Sequence, residues 1–114
     1  MDEIITIEHS GAATIVNLLC AELSFEQAEE LKKKLYACVS DTSNKFIVDL
    51  HQCGFMSSVA LGVLVCFTAK VHSFDGRIVL CHPSKETSTV LAITKLDKIY
   101  DIYPTRVEAL ASFL

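Results

Sequence analysis

Hydrophobic and polar positions change period several times along the chain, and each change marks an element. Ile4-Ile5-Thr6-Ile7-Glu8-His9 and Thr14-Ile15-Val16-Asn17-Leu18-Leu19 are β-branched runs separated by Ser10-Gly11, which predicts two strands joined as a hairpin. In Leu23-Ser24-Phe25-Glu26-Gln27 a serine is followed three residues on by glutamine. That capping box opens a helix with Phe25, Ala28, Leu31 and Leu35 at helical spacing, expected to run to about Cys38. Phe46-Ile47-Val48-Asp49-Leu50 is nearly continuous in apolar character, as an interior strand covered on both faces would be.

A few residues later the pair Ser57-Ser58 opens a long apolar helix, so one serine is expected to cap it. This helix should end near Phe74-Asp75-Gly76, with Gly76 in the left-handed position. Arg77-Ile78-Val79-Leu80-Cys81 reads as the next buried strand, and the strand-helix-strand unit over 46–81 predicts a right-handed parallel crossover. Pro83-Ser84 begins another helix, and Lys98 to Tyr103 holds a short final strand. Thr105-Arg106-Val107-Glu108 is a second capping box, ahead of Val107, Leu110, Ala111 and Leu114 on one face. The order is ββαβαβαβα. It predicts an α/β domain with about four helices and a mixed sheet of four to five strands, antiparallel at the start and parallel in the middle.

With 51% hydrophobic residues in 114, the chain can bury a core without a metal or disulfide. Nothing divides it, so residues 1–114 read as one domain. A net charge of -4 argues against sequence-independent nucleic-acid binding. The one basic run, Lys32-Lys33-Lys34, follows Glu29 and Glu30, which stand four residues before Lys33 and Lys34 on a solvated helix face. No apolar run reaches membrane-spanning length, and the start, Met1-Asp2-Glu3, is acidic where a secretory signal is basic. The expectation is a cytosolic protein that does not insert in membranes. Cys20, Cys38, Cys53, Cys66 and Cys81 are odd in number, without C-x-x-C spacing, and read as free buried thiols.

Three constellations carry chemistry. A hydroxyl at Ser57 or Ser58, on a helix N-terminus, is a place where an added phosphate is tolerated by the helix dipole and changes the surface charge by about -1.5 to -2. The helix behind it is apolar on almost every side, at Val59, Leu61, Val63, Leu64, Val65, Cys66, Phe67, Ala69 and Val71, so it must be buried by the sheet, by neighbouring helices or by a protein partner. Gly62 within it points to tight packing, since glycine inside a helix costs about 1 kcal/mol against alanine. Finally, His51, Cys53, Cys81 and His82 lie just past the C-terminal ends of two strands, the edge where α/β sheets bind ligands. Their spacing matches no structural-zinc pattern, so no metal is assigned. Enzyme signatures such as G-x-S-x-G, the P-loop, H-E-x-x-H and the dinucleotide glycine motif do not occur.

Val48-Asp49-Leu50 through Leu64, with Gly76-Arg77-Ile78-Val79-Leu80 and Leu96-Asp97-Lys98-Ile99-Tyr100, resembles the STAS domain of bacterial anti-sigma-factor antagonists over essentially the whole chain. In that family the strand ends in V-D-L and the loop in F-M-D-S-S-G-L-G-V-L. The first serine after the aspartate is phosphorylated by a histidine-kinase-like ATPase that is both serine kinase and anti-sigma factor. The resemblance implies a non-enzymatic regulator without cofactor, whose unmodified form binds that partner and frees a sigma factor. It implies Ser58 as phospho-acceptor and Phe55, Met56, Ser57, Ser58, Val59, Leu61, Gly62 and Val63 as the partner-binding stretch. Ser57 stands where the family has aspartate, Val59 where it has the second serine, and Ala60 where it has glycine. The aspartate would help orient the acceptor hydroxyl or take its proton, so its loss leaves Ser57 as the alternative acceptor. Two other readings remain: a STAS docking subunit of a transport or signalling complex that is not phosphorylated, and a thiol- or metal-dependent enzyme.

Overall fold

In the computed structural model, which describes residues 4–19 and 22–114, the strands are β1 (Ile5–Ser10), β2 (Ala13–Leu18), β3 (Lys45–Asp49), β4 (Arg77–Cys81) and β5 (Asp101–Tyr103). The helices are α1 (Phe25–Ala37), α2 (Ser58–Ser73), α3 (Lys85–Ile93) and α4 (Arg106–Ala111), with a 3-10 turn over Leu96–Lys98. The acidic start Met1-Asp2-Glu3 and the Cys20 thiol lie outside the described residues. The element order and the mixed sheet are those expected from the periodicity.

The strands lie side by side in chain order. β1 and β2 pair antiparallel, Ile5 opposite Leu18 and Ser10 opposite Ala13, and β2, β3, β4 and β5 are parallel. Alternate residues of each strand serve opposite faces. Val16, Leu18, Phe46, Val48, Leu50, Ile78 and Leu80 pack beneath α1, α2 and α3, with Phe46 and Phe67 edge to face at 5.0 Å. Ala13, Ile15, Ile47, Val79 and Cys81 face the other way and are closed by Ala109 of α4. β3 is therefore covered on both sides, which is why its sequence reads as an unbroken apolar run.

Side-chain caps start the helices. Ser24 and Gln27 form the reciprocal capping box at α1, Ser57 caps α2 by accepting from the Ala60 N–H at 3.2 Å, and Ser84 caps α3. At α4 only half of the box forms. Thr105 accepts from the Glu108 N–H, but its hydroxyl donates to the Glu108 carboxylate, which is thereby turned away from the Thr105 amide.

Several local expectations are corrected. Phe25, in register with Ala28, Leu31 and Leu35, is 76% exposed, so the buried face of α1 begins only at Ala28. Val107 and Leu114 are likewise exposed at 76% and 99%, and the α4 residue sealed against the sheet is Ala109. After α2, Asp75 rather than Gly76 adopts the left-handed conformation, at φ 54°. Gly76 is required for a different reason: a Cβ there would sit 2.1 Å from the Asn44 carbonyl oxygen, where β3 and β4 begin. On α1 the basic run pairs through Lys32 and Glu29 at 3.3 Å, one turn apart rather than at the i,i+4 spacing. The short final strand, by contrast, lies where it was expected, at the end of 98–103, after Tyr100 turns inward to bond the Thr68 hydroxyl at 2.6 Å.

Candidate functional site

Each parallel crossover sends a helix back from the C-terminal edge of the sheet, so α1, α2 and α3 all begin at that edge. Serine supplies the cap in all three, and Ser58 differs from them in position: it follows the cap as the first helical residue and is exposed. The cap takes the Ala60 N–H, while the first amides of a helix have no intrahelical acceptor. The first turn of α2 contains no acidic residue. An anion on Ser58 would thus face amide dipoles without a like charge in that turn.

Around this hydroxyl the surface is apolar. Phe55 is 56% exposed and Val59 41%, and the same side of α2 continues through Gly62, Val65 and Ala69, all exposed. The opposite side, Ala60, Leu61, Val63, Leu64, Phe67, Thr68 and Val71, is buried. An all-round apolar helix is therefore only half covered by its own chain. Gly62 lies on the open half with nothing within 4 Å of a notional Cβ, so internal packing does not require it.

Beneath the start of the loop lies a polar cluster on the α4 side of the sheet. Asp49, the last residue of β3, is 2% exposed. Its Oδ1 accepts from the His51 main-chain N–H and lies 3.0 Å from His51 Nδ1. Its Oδ2 accepts from Arg106 Nε at 2.9 Å. Arg106 also donates to the Asn17 side-chain oxygen and, at 3.2 Å, to Glu8 Oε2, and Asn17 in turn donates to Glu8 and to Thr6 at 3.1 Å. Burial pushes the Asp49 carboxyl upward, but the hydrogen bonds from His51 and Arg106 outweigh it and hold the group below the usual carboxylate range. No buried side-chain nitrogen or oxygen among the described residues lacks a partner.

The chain matches the STAS domain model over residues 4–109. It belongs to the STAS family. A Thermotoga neapolitana relative, described as a homolog of a candidate anti-sigma factor antagonist, is 36% identical over 90 residues, covering 78% of this chain and 80% of the relative. The crystal structure of a candidate anti-sigma factor antagonist from Thermotoga maritima superposes with a TM-score of 0.85 at 27% identity, covering 96% of this chain and 93% of that one. The Bacillus cell fate determinant SpoIIAA, solved in its phosphorylated form, shares the fold with a TM-score of 0.72 at 19% identity, covering 95% and 97% of the two chains.

Within this STAS chain, the stretch singled out by resemblance divides by exposure. Phe55, Ser58, Val59 and Gly62 reach the surface and Ser57 does so in part, whereas Met56, Leu61 and Val63 point into the core and support that surface from behind. The quartet at the strand ends is split by the sheet. His51 and His82 come together, their rings 5.9 Å apart, but Cys53 packs in the core beneath α1–α3 and Cys81 in the core beneath α4. Among the described residues no group of three or more His, Cys, Asp or Glu is placed to hold a metal ion. Burial, followed by the charge of Asp49, pushes the Cys81 thiol up to about 12, which removes it as a nucleophile near neutral pH. The four described cysteines are free, with Cys53 and Cys81 buried and Cys38 and Cys66 only partly so. No helix among the described residues is long and apolar enough to cross a membrane.

Sequence reasoning had Asp49 only as part of a motif and missed its ring of partners. One signal was available: Asn17 and Asp49 are polar residues at inward-facing positions of strands that are otherwise apolar, and they stand opposite each other across β2 and β3.

Proposed function

We propose that this STAS chain is a cytosolic, non-enzymatic anti-sigma-factor antagonist. It docks a kinase-type anti-sigma factor, related to histidine-kinase ATPases, through the open half of α2, and the sigma factor is thereby released. Phosphorylation of Ser58 by the partner, at the expense of ATP, ends the complex. One observation carries the reading: an exposed hydroxyl at the first residue of α2, bordered by exposed Phe55 and Val59 and followed by the open Gly62. The relatives described as anti-sigma factor antagonists support it, as does a protein of the same fold solved with a phosphate attached.

The energetics suit a switch. A doubly charged group about 5 Å from one partner carboxylate, at an effective dielectric near 20, is repelled by several kcal/mol before salt screening. Since about 1.4 kcal/mol is tenfold in affinity, even a screened fraction dissociates a micromolar complex. Within the chain itself the same phosphate faces a helix N-terminus and is stabilised by about 0.3–1 kcal/mol.

The test is incubation with a purified histidine-kinase-like anti-sigma factor from the same genome and ATP, read by intact mass and gel filtration. Wild-type protein should gain one phosphate and leave the complex, and Ser58→Ala should stay unmodified and bound. A mass shift that persists in both Ser58→Ala and Ser57→Ala, or an unmodified form that does not bind, overturns the reading.

A further inference from the structure

We infer that Asp49 is a positioning residue for the loop that presents Ser57 and Ser58, with Arg106 of α4 as the arm that holds it in place. The inference rests on the reading of Ser58 as the switching hydroxyl.

Residues 50–57 between β3 and α2 contain no helix or strand; Leu50, Cys53 and Met56 are buried in the core, the Leu50 N–H donates to the Cys81 carbonyl at 3.0 Å, and a few side-chain bonds direct the rest of the path. At the far end Ser57 caps α2, and in the middle the Ser84 hydroxyl donates to the Gly54 carbonyl at 2.7 Å. At the near end Asp49 holds both the main-chain N–H and the ring of His51, each at 3.0 Å. Of these three side-chain anchors Asp49 alone is charged: Ser84 ties the loop to the start of α3, and Asp49 ties it to the α4 side of the sheet. Through Arg106 it is tied to α4, to Asn17 of β2 and to Glu8 of β1.

A buried ion pair is a poor source of stability compared with apolar residues of the same volume, because desolvation offsets the attraction. Direction is what a carboxylate offers and a leucine does not. One oxygen fixes where the chain turns at His51, and the other is locked by a planar guanidinium whose own orientation is set by two further acceptors. A phosphoryl acceptor depends on such placement, since a misplacement of about 1 Å can cost on the order of a hundredfold in rate.

Amide hydrogen exchange on the free, full chain tests the anchor without a partner. In Asp49→Ala and in Arg106→Gln, amides of residues 51–58 should exchange about tenfold faster than in wild type, while Ile47, Val48, Val79 and Leu80 stay protected. Asp49→Asn, which keeps an acceptor oxygen, serves if the alanine variant does not fold. With the anti-sigma kinase, the same variants should lose kcat about tenfold with KM little changed, and Arg106→Lys should recover part of the loss. Loop amides that quicken no more than the core amides, or an unchanged kcat in folded variants, overturn the inference. If wild-type protein is not phosphorylated at all, the switch reading fails, and the exchange data alone still decide whether Asp49 anchors the loop.

Discussion

Arg106 and Asp49 are 57 positions apart in sequence and 2.9 Å apart in space. The contact joins the first residue of the last helix to the last residue of the central strand, on a face otherwise closed by apolar packing of Ala109, Leu110, Phe113 and Tyr103. A guanidinium sharing itself among Asp49, Asn17 and Glu8 cannot be replaced by a shorter cation without losing acceptors.

Removing the arm should therefore cost more than an exposed ion pair. Arg106→Leu leaves the buried Asp49 charge with His51 alone, and a loss of about 2–3 kcal/mol is expected from urea unfolding. Replacing both residues by leucine should recover most of that loss, since no buried charge remains. A double variant as weak as the sum of the two single ones would show that the ion itself stabilises the fold.

The same cluster sets the acid limit. The Asp49 carboxyl is lowered by its His51 and Arg106 hydrogen bonds despite burial, and Glu8 is lowered by its bond from Asn17 and the Arg106 charge. Carboxyls lower in the folded than in the unfolded chain stabilise it above the unfolded value, about 3.9 for Asp and 4.3 for Glu, and lose that contribution as pH falls through the folded value. The urea midpoint should hold between pH 7 and 5 and drop below about pH 4. In Asp49→Asn the acid drop should be shallower.

Thiol chemistry offers an independent check on the cores. Cys81, pushed up to about 12 by burial and by Asp49, should resist alkylation at pH 8 until the chain unfolds. Peptide mapping after iodoacetamide should show Cys38 and Cys66, which are partly exposed, modified before Cys53 and Cys81. Rapid labelling of Cys81 in the native state would contradict the described packing.

The two central glycines should respond in opposite directions. Gly62 has open space around it, so Gly62→Ala should stabilise the fold by up to about 1 kcal/mol through helix propensity. If a partner approaches α2 closely, the same variant weakens the complex, a combination that internal packing does not produce. Gly76→Ala drives a methyl group against the Asn44 backbone and should destabilise by about 1–3 kcal/mol.

What was legible in the chain was what repeats locally. β-branched runs gave β1 and β2, the unbroken apolar run gave β3, a capping box gave the start of α1 and a paired serine the start of α2. The choice of Ser58 over Ser57 came from the family resemblance, whereas a serine cap at the start of α2 was readable because a cap and its helix are set by neighbours in sequence. The Asp49 cluster was not, because its members at positions 8, 17, 49, 51 and 106 meet only after five strands have taken their order. Phe25 and Val107 fit the helical period yet face solvent, because period alone does not say which residues of a helical face meet the rest of the fold. Gly76 was marked for the right place and the wrong reason: the left-handed turn fell to Asp75, and a close backbone approach claimed the glycine.

The two serines can be separated by stability before any partner is at hand. Ser57 Oγ accepts from the Ala60 N–H, so Ser57→Ala should cost about 1 kcal/mol, the usual loss of a helix cap. Ser58 lies inside the helix and is exposed, and Ser58→Ala should be neutral within about 0.5 kcal/mol. Ser58→Asp puts a carboxylate on a first turn with no other acid and should stabilise by about 0.3–1 kcal/mol at low salt, with the gain fading as salt rises. The same variant should lose the anti-sigma partner, because a charge that the helix dipole welcomes on the free chain must be stripped of water when an apolar surface closes over Phe55 and Val59. Higher stability with lost binding is the signature of a switch at Ser58. A Ser58→Asp protein that is more stable and still binds would assign the docking face elsewhere.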